Sequence, residues 1–248
     1  MSATDWQPVE VLLDQFEQAG RQARFWLRDD DAIEATPALD RLIGLCERHQ
    51  IPLLLAVIPE PATETLARRI AEHPLVRPCQ HGFNHKNHAV EGARACELGG
   101  NRRLEAVISD LSRGWLRLET LFGGSSRPVL VPPWNRIDAG LLPHLPPLGF
   151  RAISTFGRAS LAAVSGFAEI NAHVDIINWR QGRIGRDHSD LIGKLAVELE
   201  IAFASDQPVG VLGHHLVHDE TAWGFLEALF AVTAGFSAVR WVSVDKLL

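Results

Sequence analysis

Two histidines spaced four residues apart, His81 and His85, are the strongest chemical signal in this sequence of 248 residues. They follow the largely apolar stretch 75–79. If the chain turns helical after that stretch, positions i and i+4 fall on one face of the helix. Both imidazole rings could then bind one metal ion.

Three adjacent carboxylates, Asp29, Asp30 and Asp31, follow the apolar run Phe25-Trp26-Leu27. Carboxylates at the end of a buried strand are costly without a cation or a partner. A metal site made of Asp30, His81 and His85 explains both features. Three protein ligands leave a coordination position for water and lower its pKa. Two imidazoles and a carboxylate suit zinc, and also iron, cobalt or nickel.

Composition limits the classes of protein to consider. Hydrophobic residues make up 46% of the chain and the net charge is -6. Because there is no basic block and no apolar run of about 20 residues, we expect neither a nucleic-acid nor a membrane partner. Residues 1–10 lack the charged and apolar regions of a secretory leader. The three cysteines, Cys46, Cys79 and Cys96, form no Cys-x-x-Cys pair. We therefore expect free thiols and a cytoplasmic location.

Helical and extended patterns alternate along the chain. The predicted helices are 9–22, 37–49, 63–73, 104–122, 139–145, 191–203 and 219–230. The predicted strands are 23–27, 51–58, 75–79, 128–131, 152–155, 169–178, 209–213 and 239–244, with 86–100 as a loop. Because several strands are apolar throughout, the pattern predicts a parallel sheet with helical crossovers. A βα barrel and an open doubly wound sheet both fit, and we expect a single domain over residues 1–248.

The unusual polar residues all fall just after predicted strands. This holds for the three aspartates, for His81, for Pro132-Pro133-Trp134 and for His214-His215. In parallel α/β folds the active site forms at the carboxyl ends of the strands. Four such coincidences favour one active site at that edge.

These motifs, in this order, resemble the polysaccharide deacetylase family, also called the NodB-homology or carbohydrate esterase 4 group. The resemblance extends from Phe25 to Leu248. The Thr-Phe-Asp-Asp-Gly motif of that family would correspond to residues 27–31, its His-Ser/Thr-x-x-His motif to 81–85 and its Pro-containing third motif to 131–135. Its Asp and Trp pair would be Asp175 and Trp179, and its final His-ended strand would be 211–214.

The resemblance implies a single-domain distorted (β/α)7 barrel and a metal-dependent hydrolase of amide or ester bonds. By position in the motifs, Asp29 would be the general base, and Asp30, His81 and His85 the metal ligands. His214 would be the general acid, and the backbone N–H of Trp134 would stabilise the oxyanion. Asp175 would orient His214, because a carboxylate can fix the tautomer of a histidine.

The sequence also departs from the family at three motif positions. Gly82 replaces a serine or threonine, Asp31 replaces a glycine, and Val131 replaces an arginine that would brace the base, a role that Arg136 could take over. His215 competes with His214 for the role of acid, because neighbours on a strand point to opposite faces.

These features predict a divergent deacetylase that removes an acyl group from an N-acylated sugar or a small amide. An amidohydrolase that cleaves a non-sugar C–N bond, and a non-catalytic binding protein that retains the fold, are the alternatives.

Overall fold

The computed structural model describes residues 5–248. Residues 1–4, part of the stretch in which no leader is expected, lie outside the described residues. The helices are α1 Gln7–Gln18, α2 Pro37–His49, α3 Glu64–Ala71, α4 Leu104–Phe122, α5 His188–Ser205 and α6 Glu220–Ala234. The strands are β1 Ala23–Ala32, β2 Leu53–Val57, β3 Val76–His81, β4 Arg127–Val131, β5 Ala152–Ile153, β6 Ala168–Glu169, β7 Val174–Asp175, β8 Ile177–Asn178, β9 Ile184–Gly185, β10 Val209–Gly213 and β11 Val239–Trp241.

Elements with strong local signals match the prediction closely. Helix α4 spans the predicted residues and ends where Gly123 has a φ of 55°. Helix α6 begins after Asp219, whose side chain accepts a hydrogen bond from the N–H of Ala222. Three predictions need correction. Strand β1 continues to Ala32 and so contains all three aspartates, and the single strand predicted over 169–178 is broken into three short strands. The helix predicted over 139–145 is a short 3-10 helix, Ala139–His144, which contains Pro143.

The chain divides into two compact units whose segments alternate in sequence. The first unit contains the residues up to Asp29, Pro37–Leu53 and Ala172–Val244, and the second contains Asp30–Thr36, Leu54–Asn171 and Asp245–Leu248. The predicted single domain stays a prediction.

In the first unit the strands lie in the order β11-β1-β10-β7. Strand β1 runs parallel to β10, and Asp29 is in register with Gly213. Strand β10 is buried along its whole length, as expected for a parallel strand with both faces covered. Its end therefore holds the side chains that follow it at a fixed place beside Asp29.

In the second unit the order is β6-β5-β4-β3-β2. Strands β3 and β4 are parallel and bring His81 into register with Val131. Helix α4 packs its apolar face against this sheet through a core that includes Val107, Leu111 and Leu130. The carboxyl ends of β3 and β4 consequently lie side by side, which brings the 81–85 segment next to the 132–135 turn. No helix among residues 5–248 has the length and apolarity needed to cross a bilayer.

Candidate metal centre

One carboxylate and two imidazoles of the second unit converge on a common point. Oδ1 of Asp31 lies 3.0 Å from Nε2 of His81 and 3.3 Å from Nε2 of His85. The ligand atoms of the three residues all lie within 4.8 Å of one another. Their number and type fit a divalent ion of the zinc or iron class.

The tautomer of His81 is set by its other ring nitrogen. Nδ1 lies 2.9 Å from the carbonyl oxygen of Val131, so Nδ1 carries the proton and donates it. Nε2 of a neutral His81 is then a lone-pair donor that faces a carboxylate oxygen. Such an arrangement requires a cation, either a proton on Nε2 or a metal ion, to avoid repulsion. A backbone carbonyl that fixes the ring in this way is the usual outer support of a metal-binding histidine.

The pKa shifts of the two histidines differ in direction. Complete burial lowers the pKa of His81, but the hydrogen bond to Asp31 and the charges of Asp30 and Asp31 outweigh burial, so its pKa is raised overall. Burial and the neighbouring His81 lower the pKa of His85, against the opposing charges of the two aspartates. The directions differ because His81 is hydrogen-bonded to Asp31, whereas His85 lies next to the His81 ring.

The segment from His81 to His85 is a loop, so the helix considered for it is wrong. His81 is the last residue of β3, and Gly82 and His85 both have left-handed backbones, with φ values of 55° and 57°. A helix is ruled out because these residues cannot form helical hydrogen bonds in that conformation. The backbone N–H groups of 83–85 instead bind the carboxylate of Glu97. The two rings still come together, with centroids 5.2 Å apart.

Asp31 is the residue that sequence reasoning missed as a ligand candidate. In a regular strand, Asp30 and Asp31 would point to opposite faces. Asp31 has a φ of 72°, which breaks this alternation and brings its carboxylate to the histidines. Spacing alone does not distinguish three adjacent aspartates. The assignment of Asp30 as a ligand stays a prediction; Asp30 is buried, and its charge acts on the pKa of both histidines.

Asp29, the predicted base, is fully occupied by His215 in the first unit. Oδ1 of Asp29 lies 2.5 Å from Nδ1 of His215, and Oδ2 accepts the backbone N–H of His215 at 2.8 Å. Both side chains are almost completely buried. Gly213 permits this approach, because a Cβ at that position would lie 2.8 Å from Oδ2 of Asp29. No finding tests the role of Asp29 as a base, so that assignment stays a prediction.

His214, the predicted acid, is placed by an aromatic contact. The ring of Trp179 packs edge-on against His214, with centroids 4.6 Å apart, and Nε1 of Trp179 donates to Asp175 at 2.8 Å. Burial raises the pKa of Asp175, while His214 and the hydrogen bonds to Ile177 and Trp179 act in the opposite direction. Asp175 thus fixes the ring that lies against His214, and its direct orienting role stays a prediction.

Trp134, the predicted oxyanion residue, lies in a strained turn beside His85. Trp134 and Asn135 have φ values of 55° and 56°, a conformation that costs a bulky residue about 1–3 kcal/mol and is concentrated at functional sites. The rings of Trp134 and His85 are 4.3 Å apart. Arg136, considered as the replacement for the missing motif arginine, donates to the carbonyl of Ala95 at 2.8 Å.

Comparison with known proteins identifies the fold. No protein-family model and no curated protein matches the chain. A solved structure from Mycobacterium smegmatis, assigned as a polysaccharide deacetylase, is similar with a TM-score of 0.69 and 15% identity, covering 91% of this chain and 89% of that one. The chain has the fold of the polysaccharide deacetylases.

Two further structures with the deacetylase fold differ in function. A peptidoglycan N-acetylglucosamine deacetylase matches with a TM-score of 0.60 and 14% identity, covering 92% of this chain and 88% of that one. A pseudoenzyme of carbohydrate esterase family 4 from Bacillus anthracis matches with a TM-score of 0.56 and 12% identity, covering 88% and 63%. The deacetylase fold confirms the predicted barrel class, against the open doubly wound sheet, and confirms the resemblance to a divergent member. The same fold is compatible with catalysis and with its loss.

Proposed function

We propose that this protein is a metal-dependent deacetylase or related amide hydrolase that acts on an N-acylated sugar or a small amide. The observation that carries the proposal is the convergence of Asp31, His81 and His85 within 4.8 Å of one another in a chain with the deacetylase fold. Zinc fits the donor set best, with iron, cobalt or nickel as alternatives.

In the proposed site the metal ligand and the base are each the next aspartate along the chain from the one that the motif predicts. Asp31 takes the ligand position instead of Asp30, because its oxygen lies at hydrogen-bond distance from Nε2 of His81. Asp30 takes the role of base instead of Asp29. In support, Asp30 is buried and its charge acts to raise the pKa of both histidines. Both oxygens of Asp29, in contrast, are hydrogen-bonded to His215.

A divalent ion bound by these three residues would supply the positive charge that acidifies a water molecule and polarises the acyl carbonyl. Asp30 would accept the proton of the attacking water. The backbone N–H of Trp134 would donate to the oxygen on which negative charge develops. The resemblance assigns His214, a residue of the first unit, as the acid for the leaving nitrogen, and this assignment stays a prediction.

Exposed aromatic rings favour a sugar-like substrate. Trp179 is 41% exposed and Trp134 is partly exposed. Flat apolar faces of this kind suit pyranose rings, and each tryptophan packs against a histidine that the proposed mechanism uses. An N-acetylated sugar is therefore the first substrate to test, before non-sugar amides. The cytoplasmic location stays a proposal too.

The second candidate function is a binding protein that has lost turnover. One observation favours it: the residue at the motif position of the base, Asp29, is buried and bound to His215. In this case the site would hold a metal and a ligand without hydrolysis.

Acetate release distinguishes the two functions. The full chain, loaded with zinc or cobalt, is incubated with N-acetylglucosamine oligomers and with a panel of small N-acetyl amides, beside Asp30→Asn and Asp31→Asn variants. The proposal expects metal-dependent release that both substitutions abolish. Metal binding by the wild type without release from any substrate would support the binding protein and contradict the proposed hydrolase.

A further inference from the structure

We infer that Glu97 is a positioning residue that holds the His81–His85 loop in the shape needed for metal binding. Nothing in the sequence pattern singles out Glu97, which lies in the 86–100 loop outside every motif. Its side chain is completely buried. The inference rests on the proposed function, because it assigns a support to the same site.

The carboxylate of Glu97 binds three consecutive backbone N–H groups. Oε1 accepts from Phe83 at 2.9 Å and from Asn84 at 2.8 Å, and Oε2 accepts from His85 at 3.1 Å. Successive backbone N–H groups that turn toward one point form a nest for an anion. Hydrogen bonds to an ionised acceptor are about twice as strong as neutral ones. Glu97 is therefore the internal anion that holds this loop in its turned shape.

The left-handed backbone of His85 makes this support necessary. A non-glycine residue at a φ of 57° is unfavourable and persists only where its surroundings fix it. Two of its surroundings are visible: Oε2 of Glu97 on its N–H, and the ring of Trp134 against its imidazole. Loss of the Glu97 contact would release the backbone that directs the His85 ring toward Asp31.

Glu97 also explains the departure from the family motif at Gly82. A Cβ on Gly82 would lie 2.2 Å from Oε2 of Glu97 and 2.6 Å from Cγ of Pro133, and Gly82 has a φ of 55°. A serine or threonine at this position, which the family motif carries, would collide with the carboxylate. Glycine at position 82 thus leaves the space that the carboxylate of Glu97 occupies.

Glu97 itself is well anchored. Leu98, the next residue, forms a parallel bridge with Ile137, and its carbonyl accepts the N–H of Asp138 at 2.8 Å. Asn87 accepts the N–H of Cys96 on the other side. Because the backbone around Glu97 is fixed to a separate segment, its carboxylate can impose a position on the 83–85 loop.

Glu97→Gln, compared with Glu91→Gln, tests the inference in the chain of 248 residues. Glutamine keeps the shape of glutamate but has only one acceptor oxygen, so at least one of the three N–H groups faces an NH2 group. Glu91 lies exposed in the same loop and loses the same charge. Two readouts are compared: hydrogen exchange of the 83–85 amides in metal-free protein, and the affinity for cobalt(II), followed by its visible spectrum.

We expect Glu97→Gln to accelerate exchange of the 83–85 amides and to weaken cobalt binding by about 10- to 100-fold, as for other outer supports of metal ligands. Glu91→Gln should change neither readout. Unchanged exchange in Glu97→Gln, or faster exchange with unchanged cobalt affinity, would overturn the inference. If Glu97→Gln does not fold, Glu97→Asp takes its place, since its carboxylate is one methylene too short to reach the loop.

The failure of the proposed function has a different signature. If the wild-type protein binds neither cobalt nor zinc, the proposed metal site is contradicted. Exchange of the 83–85 amides in the metal-free variants would still decide whether Glu97 holds the loop.

Discussion

Replacement of Asp29 by asparagine separates a structural role from a catalytic one. The carboxylate accepts two hydrogen bonds from His215, one from the ring and one from the backbone, and the pair has almost no solvent exposure. Asparagine retains one acceptor oxygen and places an NH2 group opposite the second donor. One hydrogen bond to a charged group is lost, at about 1.5–3 kcal/mol, and a buried donor stays unsatisfied.

The expected loss of unfolding free energy is therefore about 2–4 kcal/mol. For a chain of this size, 3 kcal/mol corresponds to a fall in Tm of about 6–12 °C. Urea unfolding followed by circular dichroism measures the change, with Asp14→Asn, an exposed position on α1, as the matched control. If Asp29→Asn is as stable as the control but abolishes hydrolysis, Asp29 is the base and the one-residue shift of roles is refuted.

Three further predictions concern pH, helix capping and metal. Burial lowers the pKa of His218 to about 4, and its Nε2 accepts the N–H of His214. The unfolded chain takes up this proton near pH 6.5 and the folded chain does not, so the free energy of unfolding should fall by up to about 3 kcal/mol between pH 6.5 and pH 4. In urea unfolding at a series of pH values, His218→Gln should make this fall smaller. An unchanged fall in the variant would contradict the lowered pKa of His218. Asp219→Ala should lower unfolding free energy by about 1–2 kcal/mol, because its carboxylate caps α6 at Ala222; a loss below about 0.3 kcal/mol in the same assay would show that the cap is not used. Zinc at 100 times its Kd should stabilise the wild type by about 2.7 kcal/mol and leave Asp31→Asn unchanged; equal stabilisation of both, measured by thermal unfolding, would exclude Asp31 as a ligand.

Most elements of the fold follow from local signals. Helix α4 and strand β10 are predicted to the residue, because their signals are local. Helix α4 has an apolar stripe that ends before a glycine, and β10 is a short buried run. The stretch 169–178 breaks into short strands because each strand pairs with a different segment: β6 with β5, β7 with β10 and β8 with β9. A local pattern does not show this change of partner.

The candidate site is predictable in residue type but not in the individual assignments. The sequence predicts a metal site made of two histidines and one aspartate, and in the structure His81, His85 and one aspartate, Asp31, come together. It does not distinguish Asp31 from Asp30, because a single left-handed residue within β1 decides which carboxylate meets the histidines. It also does not reveal the partner of Asp29, since His215 is 186 residues away along the chain.

The role of Glu97 is likewise not predictable from the sequence. The glycine at position 82, where the family motif has a serine or threonine, does not by itself point to Glu97. The reason for that glycine becomes visible only when the carboxylate is found 2.2 Å from where a Cβ would be.

The most direct test of the proposed site is the metal content of the purified protein by elemental analysis. Wild type, His81→Ala, Asp31→Asn and Asp29→Asn are compared after incubation with zinc, with folding checked by circular dichroism. The account predicts about one divalent ion per chain in the wild type and in Asp29→Asn, as a three-ligand site requires, and none in the folded His81 and Asp31 variants. A wild type without metal, or an Asp31→Asn variant that retains its full complement, would contradict it.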